Sequence, residues 1–346
     1  MRFAFTEDQQ ALGTAVSALL DDHCPPSAVR AAWDGDRGPA ERLWVRLADL
    51  GLLGALVPEA DGGLGLDELD VLLGLEASGR AAVPVPLVET AVVAARLLAG
   101  TGHADWLPGL AGGELRVSAS LDGSSLLSWS GFCDWALVGD VAGVYLLPVR
   151  ECVPVAVPTL DQARPMAELT VMPSDAWLAA HARLVSGDSR RIAAARRAGA
   201  LATAAQLIGL ADRMLARTVD YVQQRHQFGV PIGSFQAVKH ALADALLALE
   251  LARPLVYAAA WAHVHDADHA ERDVSASKIR SAEAAGKVAR TALQAHGGMG
   301  YTQENDLHLW LKRTWALQAS WGRPGELRER LAQALDLAPS GIRRNR

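Results

Sequence analysis

"RHQFGVPIGSFQAVKHALAD", residues 225–244, interrupts two long helical patterns with glycine and proline, yet it also carries an arginine, two glutamines and two phenylalanines. Glycine and proline alone suffice for a turn. The remaining side chains are the kind that recognise something. Upstream, apolar residues recur at helical spacing from about 191 to 224, with Leu207, Ile208, Met214, Leu215, Val219 and Val222 on one broad stripe. Downstream, the same spacing runs over about 235–265 and 272–295, and shorter helical patterns follow Tyr301 and Pro324. Three helices of roughly 25 to 35 residues joined by brief turns predict an antiparallel bundle.

Between about 115 and 171 the pattern changes to short runs, "RVSASL", "WALVGD", "VYLLPV" and "VPVAVP", separated by Gly, Asp, Ser and Pro. These favour strands. The region is too short for a large sandwich, so a small sheet or barrel is expected. From Thr6 to about Gly113 helical spacing returns, broken by "CPP", "PEADGGLG" and "VPVP" into about five elements. Thr6 with Gln9 forms a capping-box pair that starts the first. The expected organisation is mainly α with a small β domain: helical 1–113, β 114–186 and a helical bundle over 187–346.

Half of the 346 residues are apolar, enough for a sizeable core, and 33 Lys+Arg against 39 Asp+Glu give a net charge of −6 without a basic block. Nucleic acid is therefore not an expected partner. Cys24, Cys133 and Cys152 form no CxxC or paired framework and read as free thiols of a reducing cytoplasm. The start "MRFAFTEDQQ" has no signal-peptide pattern, and no uncharged apolar run of about 18 residues occurs, so neither membrane nor export is expected. Dinucleotide-Rossmann, P-loop and hydrolase-elbow motifs are absent. Ser124 and Ser125 have no paired His and Asp signature for a triad.

Four segments in order resemble the acyl-CoA dehydrogenase family over essentially the whole chain. "FTEDQQALGTAV" resembles its opening helix, and residues 47–81 its LGLLG…PEExGGxG…EElGR run. "RHQFGVPIGSFQAVKHALAD" resembles RxQFGxPIxxFQxxxHxLAD, and "QAHGGMGYTQENDLHLWLKR", residues 294–313, resembles QxxGGxGYTxExxL. The resemblance implies the family fold: an N-terminal helical domain, a central β domain and a C-terminal four-helix bundle. It implies FAD as cofactor, with Arg225 and Gln227 at the pyrophosphate, Phe228 and Ile232 packed near the cofactor, and Gln236, Gln294, Gly297 and Gly298 completing the nucleotide contacts. The chemistry suits those roles, since a guanidinium fork matches phosphate oxygens and glycine lets backbone N–H groups approach closely. Arg225 also has a plain reading as a helix C-terminal cation, and Gly297, Gly298 and Gly300 as a helix cap and turn.

The sequence departs from the family where the chemistry is done. The catalytic glutamate's slot after GGxGY, before a Gly-Thr pair, falls on Trp321, followed by Gly322 and Arg323; the alternative slot on the second bundle helix falls on Val264. Neither side chain can take a proton. The family's T-E-P-x-A-G-S-D and W-I-T segments, which contact the flavin ring and phosphates of their own subunit, are missing from residues 116–140. In the family the lost segments act on the subunit's own flavin, and the retained ones reach the flavin of the dimer mate. This implies the non-catalytic half of a heteromeric α2β2 acyl-CoA dehydrogenase of the actinobacterial kind, partnered by a catalytic subunit.

Two other readings stand beside it. One is a homo-oligomeric FAD enzyme whose base is Glu250 or Glu304, although each also reads as an ordinary helix or capping carboxylate. The other is a non-redox scaffold on the same fold. "HVHDADH", with His263, His265, Asp266, Asp268 and His269, has ligand-like spacing but also reads as a polar turn, and no metal is expected. His240 and His296 read as turn or core residues. Trp310 is expected in the core or at a subunit interface, and Trp321 is expected to fill space that substrate would otherwise take.

Overall fold

The computed structural model describes residues 4–169 and 182–337. The predicted end of the β segment near Val171 and the last residues of the C-terminal region lie outside them. The chain begins with α1 (Glu7–His23), started as expected: the Thr6 hydroxyl accepts the Gln9 N–H at 3.2 Å, and the Gln9 amide oxygen accepts the Thr6 N–H at 2.9 Å. The "CPP" break places Pro26 at the first position of α2 (Pro26–Trp33), where its missing N–H costs nothing. Helices α3 (Gly38–Asp49) and α4 (Leu72–Arg80) follow. A π-helical turn, Val88–Ala94, then leads into α5 (Ala95–Leu98), and α6 (Leu107–Ala111) closes the region. The count exceeds the expected five because the run "VETAVVA" carries no period that separates a π-turn from its neighbours.

Two small sheets follow. Strands β1 (Val117–Ser120), β3 (Trp135–Asp140), β4 (Gly143–Pro148) and β7 (Arg183–Ser186) form one, in the order β1-β3-β4-β7, with β1 and β3 parallel. Strands β2 (Leu126–Ser128), β6 (Met166–Leu169) and β5 (Pro154–Val157) form the other. Leu127 and Leu169 from the second sheet meet Ala136, Val138 and Leu147 from the first in a core of their own. Sheet-on-sheet burial is thus achieved with strands of three to six residues.

Helix α7 (Ser189–Gln224) is the axis of the molecule, 36 residues and about 54 Å long at a 1.5 Å rise. Residues 198–211 are buried all the way round, as an apolar core helix requires. Its small residues admit close neighbours. A Cβ at Gly209 would lie 1.9 Å from the Glu76 carbonyl oxygen, and one at Gly79 would lie 2.0 Å from that of Gln206, so α4 and α7 cross backbone to backbone. After a hairpin, β8 (His226–Gln227) and β9 (Val230–Pro231), come α8 (Gln236–Val264), α9 (Ala270–His296), α10 (Leu307–Ala319) and α11 (Pro324–Ala334). Trp310 is buried, its indole N–H donating to the Arg80 carbonyl at 2.9 Å.

Helix α8 keeps an unsheltered side: Leu247, Leu251 and Leu255 recur at four-residue spacing beside Leu246, all exposed. By length and composition it is also a helix that could cross a bilayer, with a mean hydropathy of 1.3, while 39% of the relevant window is buried within the fold. The opposite side of α8 is tied into the bundle and the N-terminal helices. Arg253 pairs with Glu76, and the Tyr257 hydroxyl donates to Glu76 at 3.0 Å.

Candidate functional site

The 225–244 stretch folds into a projecting clamp. Arg225 caps α7, and the Ile232 N–H donates to its carbonyl at 2.8 Å, closing the base of the hairpin. Phe228 (φ +55°) and Gly229 (φ +80°) form its tip, the paired positive φ values of a type I′ turn. Phe228 is 91% exposed and meets the Phe235 ring edge-on, at 6.2 Å between centroids. The Gln227 amide donates to the His226 carbonyl, Ile232 is half-buried, and Gln236 opens α8 facing solvent. A phenylalanine held in water at a hairpin tip is unfavourable for an isolated chain.

The second set lies at the same end. Tyr221, one helical turn before Arg225, stacks on His296 at 4.2 Å, and its hydroxyl donates to the His296 carbonyl. This contact brings the end of α7 against the end of α9. Gln294, Gly297 and Gly298 are all exposed there. Gly297 has φ +57°, which explains its identity. Gly298 does not need to be glycine for this chain's own sake, because a Cβ there would meet nothing within 4 Å. An open backbone cradle at Gly298 and an arginine with no ion pair among the described residues suit a phosphate-bearing dinucleotide. A groove of about 490 Å³ runs beside the hairpin, lined in part by Val222, Gly233 and Lys239.

The base slot lies elsewhere. Trp321 follows α10 with φ +56°, a strained value for a bulky residue. Its indole lies flush on Gly199, where a Cβ would meet the ring at 2.6 Å. It lines a cavity of about 480 Å³ between α7, α10, α11 and the sheets. The floor of this cavity is ionic. Buried Glu89, on the π-turn, sits 3.3 Å from Arg164 and accepts the Trp129 indole N–H at 2.9 Å and the Ser128 hydroxyl at 3.2 Å. Such a floor suits no hydrocarbon chain. Val264 ends α8 and lines no described cavity, nor do Glu250, paired with Arg253 at 3.5 Å, or exposed Glu304.

Clamp and cavity are far apart. Gly199 and Arg225 are 26 residues apart on one helix, so about 39 Å separates them. That distance exceeds the reach of one extended flavin dinucleotide. The chain therefore cannot place a flavin ring beside its own residue 321 and the same molecule's pyrophosphate on its own Arg225.

The candidate metal run disperses. His263 reaches Glu68 at 3.3 Å, His265 donates to the Trp261 carbonyl at 2.8 Å, and His269 meets Asp273 at 2.8 Å. No group of three or more His, Cys, Asp or Glu arranged to hold a metal occurs among the described residues. His240 is exposed on α8, whereas His296 is buried, donates to the Ala292 carbonyl and is held below its ordinary pKa by that burial. All three cysteines are buried and free.

Two family models match, the acyl-CoA dehydrogenase N-terminal domain over residues 6–114 and its C-terminal domain over 191–335. The acyl-CoA dehydrogenase IpdE2 of Mycobacterium tuberculosis is 34% identical over 341 residues, covering 94% of this chain and 96% of that protein. The chain belongs to the acyl-CoA dehydrogenase family. FadE27, another acyl-CoA dehydrogenase of that organism, is 28% identical, covering 98% of this chain and all of its own. Among solved structures, the ChsE4-ChsE5 complex from M. tuberculosis contains a chain similar at a TM-score of 0.84 and 27% identity, covering 98% of this chain and 100% of that one.

One buried group of this family member was missed at the sequence level. Lys278 is wholly buried on α9, with no carboxylate partner among the described residues, and its ammonium donates to the Leu317 and Gln318 carbonyls at the end of α10, at 2.9 and 3.5 Å. It thereby fixes where α10 stops and the Trp321 turn begins. Its position four residues after Val274 and four before Ala282 puts it on the buried stripe, which is the signal that could have found it. Burial pushes its pKa down to about 7. Between about pH 7 and the ordinary lysine value the unfolded chain binds the extra proton, so stability rises with pH there, by on the order of 1.4 kcal/mol per unit. Urea unfolding at several pH values should show that rise in the native chain and lose it in Lys278→Met.

Proposed function

We propose that this chain is the non-catalytic subunit of a heteromeric FAD-dependent acyl-CoA dehydrogenase. It lends Arg225, Gln227, Phe228, Ile232, Gln236, Gln294, Gly297 and Gly298 to a flavin whose ring lies in a catalytic partner. The observation that carries this reading is what fills the base slot, Trp321 seated on Gly199 above an ionic floor; the roughly 39 Å between that slot and the clamp fits a flavin shared between subunits. When bound, FAD supplies the hydride acceptor for α,β-dehydrogenation of an acyl-CoA thioester. This chain's residues hold its phosphates and nucleotide half, and the proton-abstracting carboxylate belongs to the partner. The likeness to a chain of the ChsE4-ChsE5 complex supports a two-subunit assembly. The unsheltered leucines of α8 and the exposed Phe228 supply apolar surface for it.

The test is native mass spectrometry of the chain alone and of the chain co-expressed with a candidate partner, counting flavins. One flavin per pair of chains in the joint assembly, and none on this chain alone, is the expected result. A chain that is yellow alone and bleached by an acyl-CoA would establish the homo-oligomeric enzyme instead. Absence of flavin from every assembly would leave a scaffold.

A further inference from the structure

The two halves of the proposed clamp sit on different helices, and each stands where a helix runs out. Arg225 follows the last turn of α7, inside an exposed run from Gln223 to Val230. Gly297 and Gly298 follow the last turn of α9 and are exposed as well. One dinucleotide engages both sets only if the two helix ends keep a fixed separation, because binding groups must be held to within about 0.5 Å of their working geometry. A ring pair spans the gap. Tyr221 of α7 lies on His296, the last residue of α9, with centroids 4.2 Å and planes 18° apart.

Each ring is fastened to one half of the clamp. The Tyr221 carbonyl accepts the Arg225 N–H at 2.9 Å, which ties the arginine's backbone to the stacked residue one turn back. On the other side, His296 precedes Gly297 directly, and its imidazole Nδ1–H donates to the Ala292 carbonyl at 2.9 Å, which fixes the ring. The turn folds back onto it: a Cβ on Gly300 would lie 3.1 Å from that of His296. The Tyr221 hydroxyl donates to the His296 carbonyl at 3.4 Å. That carbonyl belongs to the planar peptide leading into Gly297, so holding it orients the first peptide of the cradle. The core does not demand these side chains. Tyr221 is only half-buried, and a leucine would fill its place without a flat face or a hydroxyl.

We propose that Tyr221 and His296 are positioning residues of the flavin clamp, their stack setting the spacing at which Arg225 and the Gly297–Gly298 cradle grip one dinucleotide. This assignment rests on the trans-clamp reading and adds to it a pair that acts through its neighbours. Once the pyrophosphate is held, the nucleotide half meets its cradle at a high effective concentration, and that gain is lost when the helix ends drift apart.

The experiment is flavin retention on dilution of the joint assembly, followed by fluorescence of released FAD, for Tyr221→Leu, His296→Leu, Tyr221→Phe and Arg225→Ala. Each leucine variant is expected to hold FAD about tenfold more weakly. Tyr221→Phe keeps the stack and should stay within about threefold of native. In an Arg225→Ala background, Tyr221→Leu should cost less than about twofold, because the group it positions is gone; general loosening of the fold would cost the same factor in both backgrounds. His296→Leu carries the same cycle from the other ring if Tyr221→Leu does not assemble. Native retention in both leucine variants, a loss in Tyr221→Phe equal to that in Tyr221→Leu, equal factors across the cycle, or failure of both leucine variants to assemble each refutes the assignment. Native retention in Arg225→Ala would instead remove the clamp itself, whereas a loss there beside native retention in the leucine variants leaves the clamp standing without this pair.

Discussion

Arg225→Ala, placed in the joint assembly, is expected to weaken flavin retention by about a hundredfold and to cost activity in proportion at limiting flavin. A guanidinium bonded to pyrophosphate contributes two charge-assisted hydrogen bonds, each worth roughly 1.5–3 kcal/mol where water is excluded. Nothing in the chain itself competes for this arginine, which is exposed and makes no ion pair among the described residues, so its loss leaves folding intact. Arg225→Lys should recover only part of the affinity, since an ammonium is a point charge without the planar fork. Fluorescence of released flavin on dilution measures the effect directly. Unchanged retention in Arg225→Ala would remove the clamp from the proposal. The expected split is also informative: with flavin in excess, turnover should return, because no proton or hydride passes through this residue.

The largest stability effect is expected at Asp161. Its carboxylate pairs with Arg313, and both are buried, at 1% and 4% exposure. Arg313 further donates to the Val83 carbonyl at 2.7 Å and lies over the Trp129 ring at 5.4 Å, so one side chain ties α10 to the N-terminal helices and the sheets. Asp161→Ala strands a buried guanidinium and should cost about 3–5 kcal/mol. In a chain of this size that lowers the melting temperature by about 4–7 °C. Replacing both partners, Asp161→Leu with Arg313→Met, should recover most of the loss, because the price of a buried pair lies in breaking it rather than in lacking it. A cycle in which the double variant melts as low as the single would show that the pair does more than neutralise itself.

What the sequence displayed and what it hid follow from how each feature is encoded. The bundle was legible because its apolar stripes persist for many turns, and the observed helices begin and end within a few residues of the expected bounds. The Thr6–Gln9 cap was legible because both partners sit three residues apart. Strands β2, β6 and β7 were not, since "LLS", "MAEL" and "RLVS" are three or four residues without the β-branched runs that marked β1 and β5. The residues proposed for the clamp could be named from a motif because they lie in two short segments. The stack of Tyr221 on His296 could not, since it joins residues far apart in the chain, and neither looks unusual until α7 and α9 are packed. The ionic floor under Trp321 was hidden for the same reason: Glu89, Ser128 and Arg164 meet only through the fold.

The hairpin tip carries a consequence for the protein's life before assembly. An orphaned copy offers water a bare phenylalanine ring and a leucine ridge, the features that holdase chaperones and proteases seize. In the proposed assembly, supply of this chain would be tied to supply of the subunit that covers that ridge.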